Sequence, residues 1–437
     1  MNQKKKDSSR RKFIGNSLLS IAGLTSLSSF AYSPYEKSTD PKDIHQVRLG
    51  FIGVGQQAMG ILNGMMKIPG VQVLACADVD SDKRERFQVR ATRLTKENGK
   101  DKVEISTYAD FNQLLERDDI DAVVIATPDH WHALTAIAAC KAGKDIYLEK
   151  PLTFTIKEGQ ELVKAVRANS IVLAVGSQQR SEVNFQHAAH MVQKGKIGKI
   201  EKVLVHVGSP EHPKPYDLPA EEIPASLDWK TWLGPLKQIQ YNQALAPKIS
   251  LNPETNEKSW ASWRWYKETG GGHMTDWGAH MLDIAQWGIG MDRNGPVNVI
   301  PASNDNPLTY EYANGIKIFV APFDKGPQGV RFIGSDGWIQ VNRGIFQSSD
   351  ESLKPTRILP KQEYSHHYSD FITSVISRKD PIVPVEVGHS TCTICTIGNI
   401  AEELKRPLAW DPKTETFPHD WEASAKLHYN YENGYKL

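Results

Sequence analysis

Val47-Arg48-Leu49-Gly50-Phe51-Ile52 is a short, mostly apolar run that reads as a β-strand and leads straight into Gly53-Val54-Gly55-Gln56-Gln57-Ala58. A helical pattern follows from Ala58 to Met66, then a second apolar run, Val71 to Ala77, that stops at Asp78. A charged helix is predicted over 82–96, a buried strand over 121–126, a helix ending near Ala142 before Gly143, and a strand over 145–148. Positions 97–105 carry no clear pattern. Val- and Ile-rich runs alternating with helices predict an α/β fold built on a doubly wound parallel sheet.

From about Ile171 the pattern changes. A strand is expected over 172–176, a helix over 184–194 and a strand over 200–207. Residues 208–270 are rich in Pro and Trp with weak periodicity; an irregular stretch of that length is usually a functional loop. Strands are predicted at 315–321, 329–334 and 337–341, and helices at 368–377 and 388–405. The organisation expected is a nucleotide-binding domain over 46–170 and a second α/β domain over 171–437.

The amino terminus has a different character. Lys4, Lys5, Lys6, Arg10, Arg11 and Lys12 face a single acid, Asp7, and a weakly apolar stretch runs from Phe13 to about Phe30. That order is a basic region followed by an apolar core, as in a secretory signal. Ser9-Arg10-Arg11-Lys12-Phe13-Ile14 resembles the twin-arginine export motif. Residues 1–33 are therefore expected to be a signal peptide directing the chain to the periplasm, and residues 34–45 a polar linker. Export would remove six of the 52 basic and one of the 51 acidic residues, leaving 46 against 50, so the net charge moves from +1 to −4.

Composition narrows the function. A chain of 437 residues with 40% hydrophobic and 24% charged residues suits a soluble globular protein of two or three domains. The charge balance gives no reason to expect nucleic-acid binding. No apolar run reaches the roughly 18–20 residues of a membrane span. Four cysteines are too few for a disulfide scaffold. Cys392 and Cys395 form a C-x-x-C without a second pair at metal spacing, so no metal site is expected and all four read as buried thiols.

A Gly-x-Gly-x-x-Gly/Ala pattern alone is weak. Here a strand precedes it, a helix follows, and Asp78 lies 20 residues past Ala58. Gly53 permits the tight turn, Gly55 lets a pyrophosphate approach the backbone at a helix N-terminus, and Ala58 keeps helix and strand close. Asp78 is placed to accept hydrogen bonds from a ribose diol and to repel a 2′-phosphate, which favours NAD over NADP; Lys83 and Arg84 temper that preference. Two further segments fall beyond the carboxyl ends of later strands, where open parallel sheets bind ligands: Thr127-Pro128-Asp129-His130-Trp131-His132 and Glu149-Lys150-Pro151. By position alone the histidines serve equally well as helix caps and Lys150 as a solvated cation.

Gly53–Ala58, Thr127-Pro128 with His132, and Glu149-Lys150-Pro151 together resemble the glucose-fructose oxidoreductase / inositol dehydrogenase (Gfo/Idh/MocA) family, over nearly everything after residue 45. The resemblance implies a Rossmann domain followed by an α/β domain with a large, open, mostly antiparallel sheet, whose outer face often joins copies into a homodimer or homotetramer. It implies that Lys150 is catalytic, with a Lys–Pro peptide that is often cis, and that Gly53, Gly55, Gln56, Gln57, Ala58, Asp78, Thr127, Pro128, His132, Glu149 and Lys150 surround the cofactor.

The segment from Gly270 to Asp283 reads as glycines followed by a helix to about Trp287. On a continuous helix Asp276, His280 and Asp283 share one face, so His280 is a candidate general base oriented by Asp276. The same pattern suits an acid favoured by the helix dipole and a core histidine. The Asp-x-x-x-His spacing matches the family's catalytic pair, and Asp283 reads as a structural partner. Gln178 and Arg180 resemble the family's substrate-side loop. Trp265 is a candidate sugar-stacking ring, while the neighbouring Trp260, Trp263 and Tyr266 read mostly as core.

The activity implied is hydride transfer between a secondary hydroxyl of a sugar, glycoside or cyclitol and tightly held nicotinamide. Outside the cytoplasm the cofactor must be returned to its starting state within the cycle. This leaves open a redox-neutral NAD-dependent glycosidase working by oxidation, elimination, hydration and re-reduction. A non-catalytic NAD- or sugar-binding protein is a third alternative, but such a protein has no need of Lys150, Asp276 and His280.

Overall fold

The computed structural model describes residues 46–99, 104–209, 211–250, 260–323, 326–356 and 365–437. The leader and linker expected over 1–45 lie outside the described residues. Among those described, no helix is long and apolar enough to cross a membrane, and no cluster of side chains is suited to hold a metal ion.

The first sheet contains β1 (Val47–Ile52), β2 (Val71–Ala77), β3 (Ser106–Tyr108), β4 (Ala122–Ile125), β5 (Asp145–Leu148) and β6 (Leu173–Val175). Their spatial order is β3-β2-β1-β4-β5-β6 and all pairings are parallel. Helices α1 (Gln56–Met65), α2 (Ser81–Glu97), α3 (Phe111–Leu115), α4 (Asp129–Lys141) and α5 (Ile156–Ala168) connect them. The strands have no polar face because apolar clusters cover both sides. The strand expected to open the second domain is β6, the last strand of this sheet, paired with β5. Two pieces are not among the elements expected above: the short β3–α3 unit, and α5, whose start is a capping box between Thr155 and Glu158.

The second sheet is built from β7 (Ile200–His206), β8 (Asn298–Ile300), β9 (Leu308–Glu311), β10 (Lys317–Val320), β11 (Gly329–Gly334), β12 (Gly337–Asn342), β13 (Ile345–Ser348) and β14 (Leu408–Ala409). Its order is β13-β12-β11-β7-β10-β9-β8-β14, antiparallel except where β10 meets β7. Helix α6 (Val183–Gln193) packs with the segment 272–288 against it, burying Phe185, Met281, Leu282, Tyr310 and Phe332 in one core.

Two later helices, 365–377 and 385–404, reach back to the first sheet, the second of them while keeping Ile394, Cys395, Ile397 and Ile400 in the second core. Tyr368, Phe371, Ile372 and Val375 join one apolar face of the first sheet, and Val385, Val387 and Cys392 join the other. Tyr147 on β5 meets the rings of Tyr368 and Phe371 at 5.8 and 5.7 Å. Gly64 leaves room for the Tyr368 ring, since a Cβ there would lie 2.3 Å from it. All four cysteines are buried free thiols.

The described parts of the irregular stretch 211–270 include one short helix, α7 (Trp229–Leu233), and have a small core of their own around Leu227, Trp229, Trp232, Tyr241, Leu245, Trp263 and Tyr266. They lie against the carboxyl edge of the first sheet. The Trp131 indole donates to the Trp232 carbonyl at 2.9 Å, and Gly234 sits so close to that indole that a Cβ would be 2.4 Å from it.

Candidate active site

Between the strand ends and this strap lies a cavity of about 480 Å³, lined on the sheet side by Gly53, Gly55, Gln56, Gln57, Asp78, Thr127 and Pro128. Gly53 has φ +76°, and a Cβ there would sit 2.6 Å from the Thr127 backbone nitrogen. A Cβ on Gly55 would meet nothing within 4 Å, so this backbone is open to the cavity. Helix α1 is N-capped by Gly55 with no side-chain cap and no acid in its first turn, so its positive end suits an anion. The Thr127 hydroxyl is buried without a partner among the described residues. Asp78 accepts from the N–H groups of Val54 at 2.8 Å and Asp80 at 3.0 Å and borders the cavity. An open cradle, a helix N-terminus and an acid at the second strand suit a dinucleotide.

His132 and Glu149, expected to touch the cofactor, are engaged within the protein. The ring nitrogens of His132 lie 2.7 Å from the Pro151 carbonyl and 3.0 Å from that of Thr127, tying together the loops after β4 and β5. Glu149 accepts from Gln57 at 2.8 Å and from Gln178 at 3.2 Å. Both residues are buried and position the residues beside them. Gln178 also donates to the Tyr147 hydroxyl at 3.2 Å, so its amide belongs to the same scaffold rather than to a substrate surface.

The Lys150–Pro151 peptide is cis. Lys150 Nζ donates to the Asp276 carboxylate at 2.5 Å and to the Asp276 carbonyl at 3.1 Å. An ammonium has three N–H groups; the third has no partner among the described residues. Arg264, bordering the cavity from the strap, places Nε 3.8 Å from the same carboxylate. Through Arg264 the cavity wall adjoins a cation–carboxylate group contributed by both sheets' domains. Burial pushes the Asp276 carboxyl up, but Lys150 and Arg264 outweigh it and hold it below the usual carboxylate range. Asp129, at the start of α4, is pushed by burial up to about 8, against the pull of Arg264 and Lys150.

The expected Asp276–His280 pairing is not what forms. The helical stretch divides into α8 (Gly272–Asp276) and α9 (Gly278–Gly288). At the junction the His280 N–H bonds to the Trp277 carbonyl, three residues back, and the tightened turn removes the continuous face the sequence suggested. Asp276 turns to Lys150, and His280 Nε2 meets Arg343 Nη2 at 3.2 Å. Because the guanidinium can only donate, Nε2 accepts and the ring proton lies on Nδ1. Nδ1 is buried without a partner among the described residues. Burial, then the charges of Lys150, Arg343 and His367, hold the His280 pKa well below its ordinary value.

Arg180 is a second correction. It is not available to a substrate: Nε and Nη2 bind the Asp283 carboxylate at 2.8–3.0 Å, and Nη1 binds Asp292 at 2.7 Å. Asp283 is further held by the Thr391 hydroxyl at 2.9 Å. Trp265 stacks on His273 with ring centroids 4.3 Å apart, while Trp263 and Tyr266 enter the strap's core.

The family model described as an oxidoreductase family with an NAD-binding Rossmann fold matches residues 47–177, and the one for that family's C-terminal alpha/beta domain matches residues 212–437. The chain belongs to the Gfo/Idh/MocA oxidoreductase family. A curated relative named glycosyl hydrolase family 109 protein 2, from Shewanella sp. (strain ANA-3), is 31% identical over 217 residues, covering 45% of this chain and 46% of the relative. The chain thus spans about half the length of the curated relatives it matches. Among solved structures, aldose-aldose oxidoreductase from Caulobacter crescentus superposes with TM-score 0.59 at 15% identity, covering 84% of this chain and all of that one. Scyllo-inositol dehydrogenase from Lactobacillus casei superposes with TM-score 0.54 at 16% identity, covering 83% and 99%. These likenesses are likenesses of fold.

In this Gfo/Idh/MocA chain two site cations, Arg264 and Arg343, were not among the candidates the sequence offered. Arg264 stands between tryptophans, its guanidinium 4.2 Å from the Trp263 ring centre and 5.1 Å from that of Trp260. Arg343 occupies the turn between β12 and β13, 4.5 Å over Trp277. The Trp-Arg-Trp triplet at 263–265 was a legible hint of a stacked cation; a single arginine in a hairpin turn was none.

Proposed function

We propose that this protein oxidises, reversibly, a secondary hydroxyl of a sugar, glycoside or cyclitol with tightly held NAD. The observation carrying the proposal is the Lys150–Asp276 contact of 2.5 Å, made across the two domains and linked to the dinucleotide cavity through Arg264 on its wall. Asp78 at the cavity wall supports NAD over NADP, with Lys83 on the same wall weighing the other way. Gly53, Gly55, the α1 N-terminus, Thr127 and Asp78 would hold the cofactor, which supplies the hydride acceptor when bound. Lys150, fixed by Asp276, directs its remaining N–H at the reacting oxygen and stabilises negative charge developing there. His280 is neutral and takes the hydroxyl proton at Nε2 once Arg343 gives up that nitrogen. The proposal includes export by the twin-arginine route, a cofactor restored within each cycle, and assembly as a homodimer or homotetramer.

A second reading, a redox-neutral NAD-dependent glycosidase, is favoured by the relatives named glycosyl hydrolase family 109. One experiment separates the two. The purified protein is denatured, released NAD(H) is quantified, and the intact protein is screened on a glycoside panel. Keto product with the glycosidic bond intact is the expected result. Bond cleavage with solvent deuterium entering next to the anomeric carbon would select the glycosidase. Absence of both, with NAD(H) present, would sink the oxidoreductase proposal.

A further inference from the structure

Arg343 is held in an unusual state for an arginine beside a reaction centre. It lies over Trp277, and among the described residues its only hydrogen bond is the 3.2 Å one to His280 Nε2. Its Nε is buried without a hydrogen-bond partner, and it makes no ion pair among the described residues. Arg180, by contrast, is saturated by two aspartates. Two residues that interact with Arg343 carry further buried polar atoms without partners among the described residues, His280 Nδ1 and Glu182 Oε1, and so do Asn342, its neighbour in sequence, and Gln179 on the 178–181 turn that packs against α9. Buried polar groups are ordinarily hydrogen-bonded, and a cluster of exceptions calls for a ligand.

We infer that Arg343 receives a carboxylate of the substrate, so that this site acts on acidic sugars of the uronic or aldonic type. The inference rests on the proposed oxidoreductase centre and names its substrate class. A hydroxyl would satisfy an N–H but leave the guanidinium charge uncompensated; a carboxylate satisfies both, through two parallel N–H bonds. The local charge agrees. Lys150 and Arg264 face Asp276, which is held ionised, whereas burial pushes Asp129 up to about 8 and Glu182 up to about 7. Glu182 feels Arg343 but forms no ion pair with it. Glu182 is left to meet a hydroxyl group. A carboxylate competing for Arg343 would also release His280 Nε2, the nitrogen a base needs.

The test is calorimetric binding to the full-length, NAD-loaded protein. The probes are pairs of methyl glycosides and their uronates in the gluco, galacto and manno series. At least one uronate should bind about tenfold or more tightly than its neutral partner. Arg343→Gln should bring that ratio to within about twofold, and Arg343→Lys should restore part of it. An arginine acting only through His280 would scale both members of a pair alike. Should no pair favour the acid, or the ratio survive Arg343→Gln, the inference fails; the wild-type panel decides it even if the variant does not fold. Turnover is scored separately. A uronate that binds tightly but is never oxidised or cleaved counts against the oxidoreductase centre alone, and preferential binding and turnover of neutral glycosides counts against the carboxylate alone.

Discussion

Two cation–carboxylate pairs join distant parts of this chain, and they differ in how much bonding capacity they leave over. Arg180 and Asp283 are 3% and 1% exposed; the guanidinium is spent on two aspartates and the carboxylate takes a further hydroxyl. Lys150 and Asp276 are 16% and 20% exposed; the ammonium keeps one N–H, and the carboxylate is shared loosely with Arg264. Both cations were expected at the substrate. The saturated pair is a brace between the 178–181 turn and α9, while the incomplete pair adjoins Arg264 on the cavity wall and can act on something else. Residual valence, more than burial or charge, separates the chemistry from the scaffold.

The sharpest way to break this contrast is Arg180→Ala. It leaves Asp283 and Asp292 without their cation, and the expected loss is about 3–5 kcal/mol of unfolding free energy, read from the denaturant midpoint. A loss under ~1 kcal/mol would show that the brace is not one. Lys150→Ala should behave oppositely. Turnover is expected to fall about 10²–10⁴-fold, with NAD still released on denaturation and unfolding free energy changed by under ~1 kcal/mol; wild-type turnover would remove Lys150 from its role. The smallest effect concerns His280. With its pKa held well below the ordinary value, the ring stays neutral through the physiological range, and the acid limb of kcat/KM should lie well below pH 6.5. Arg343→Gln removes one of the charges disfavouring the imidazolium and should move that limb upward. A limb at or above pH 6.5 in the wild type would contradict a buried, neutral base.

Much of the first sheet was legible because parallel strands buried on both faces are continuous apolar runs, and Val71–Ala77 and Asp145–Leu148 coincide with strands. The cradle was legible for a local reason: Gly53, Gly55 and Asp78 act through backbone and strand ends that the sequence lays out in order. What escaped depends on contacts between positions far apart. Nothing near Arg180 discloses that Asp283 and Asp292 will claim it. The helical face joining Asp276 to His280 was a fair inference from periodicity, undone by one tightened turn at Trp277. Arg343 reaches His280 only because the hairpin between β12 and β13 brings it there, and no spacing rule registers such a meeting.

The helices that return from the end of the chain to cap the nucleotide domain limit how this protein can be taken apart or recombined. A segment ending at residue 177 would carry the whole parallel sheet yet lack Tyr368, Phe371, Val385 and Val387, the side chains that seal its two sides. Such a fragment would expose wet apolar flanks and should aggregate. Lineages that swapped only the front half between relatives would have had to carry the tail along with it.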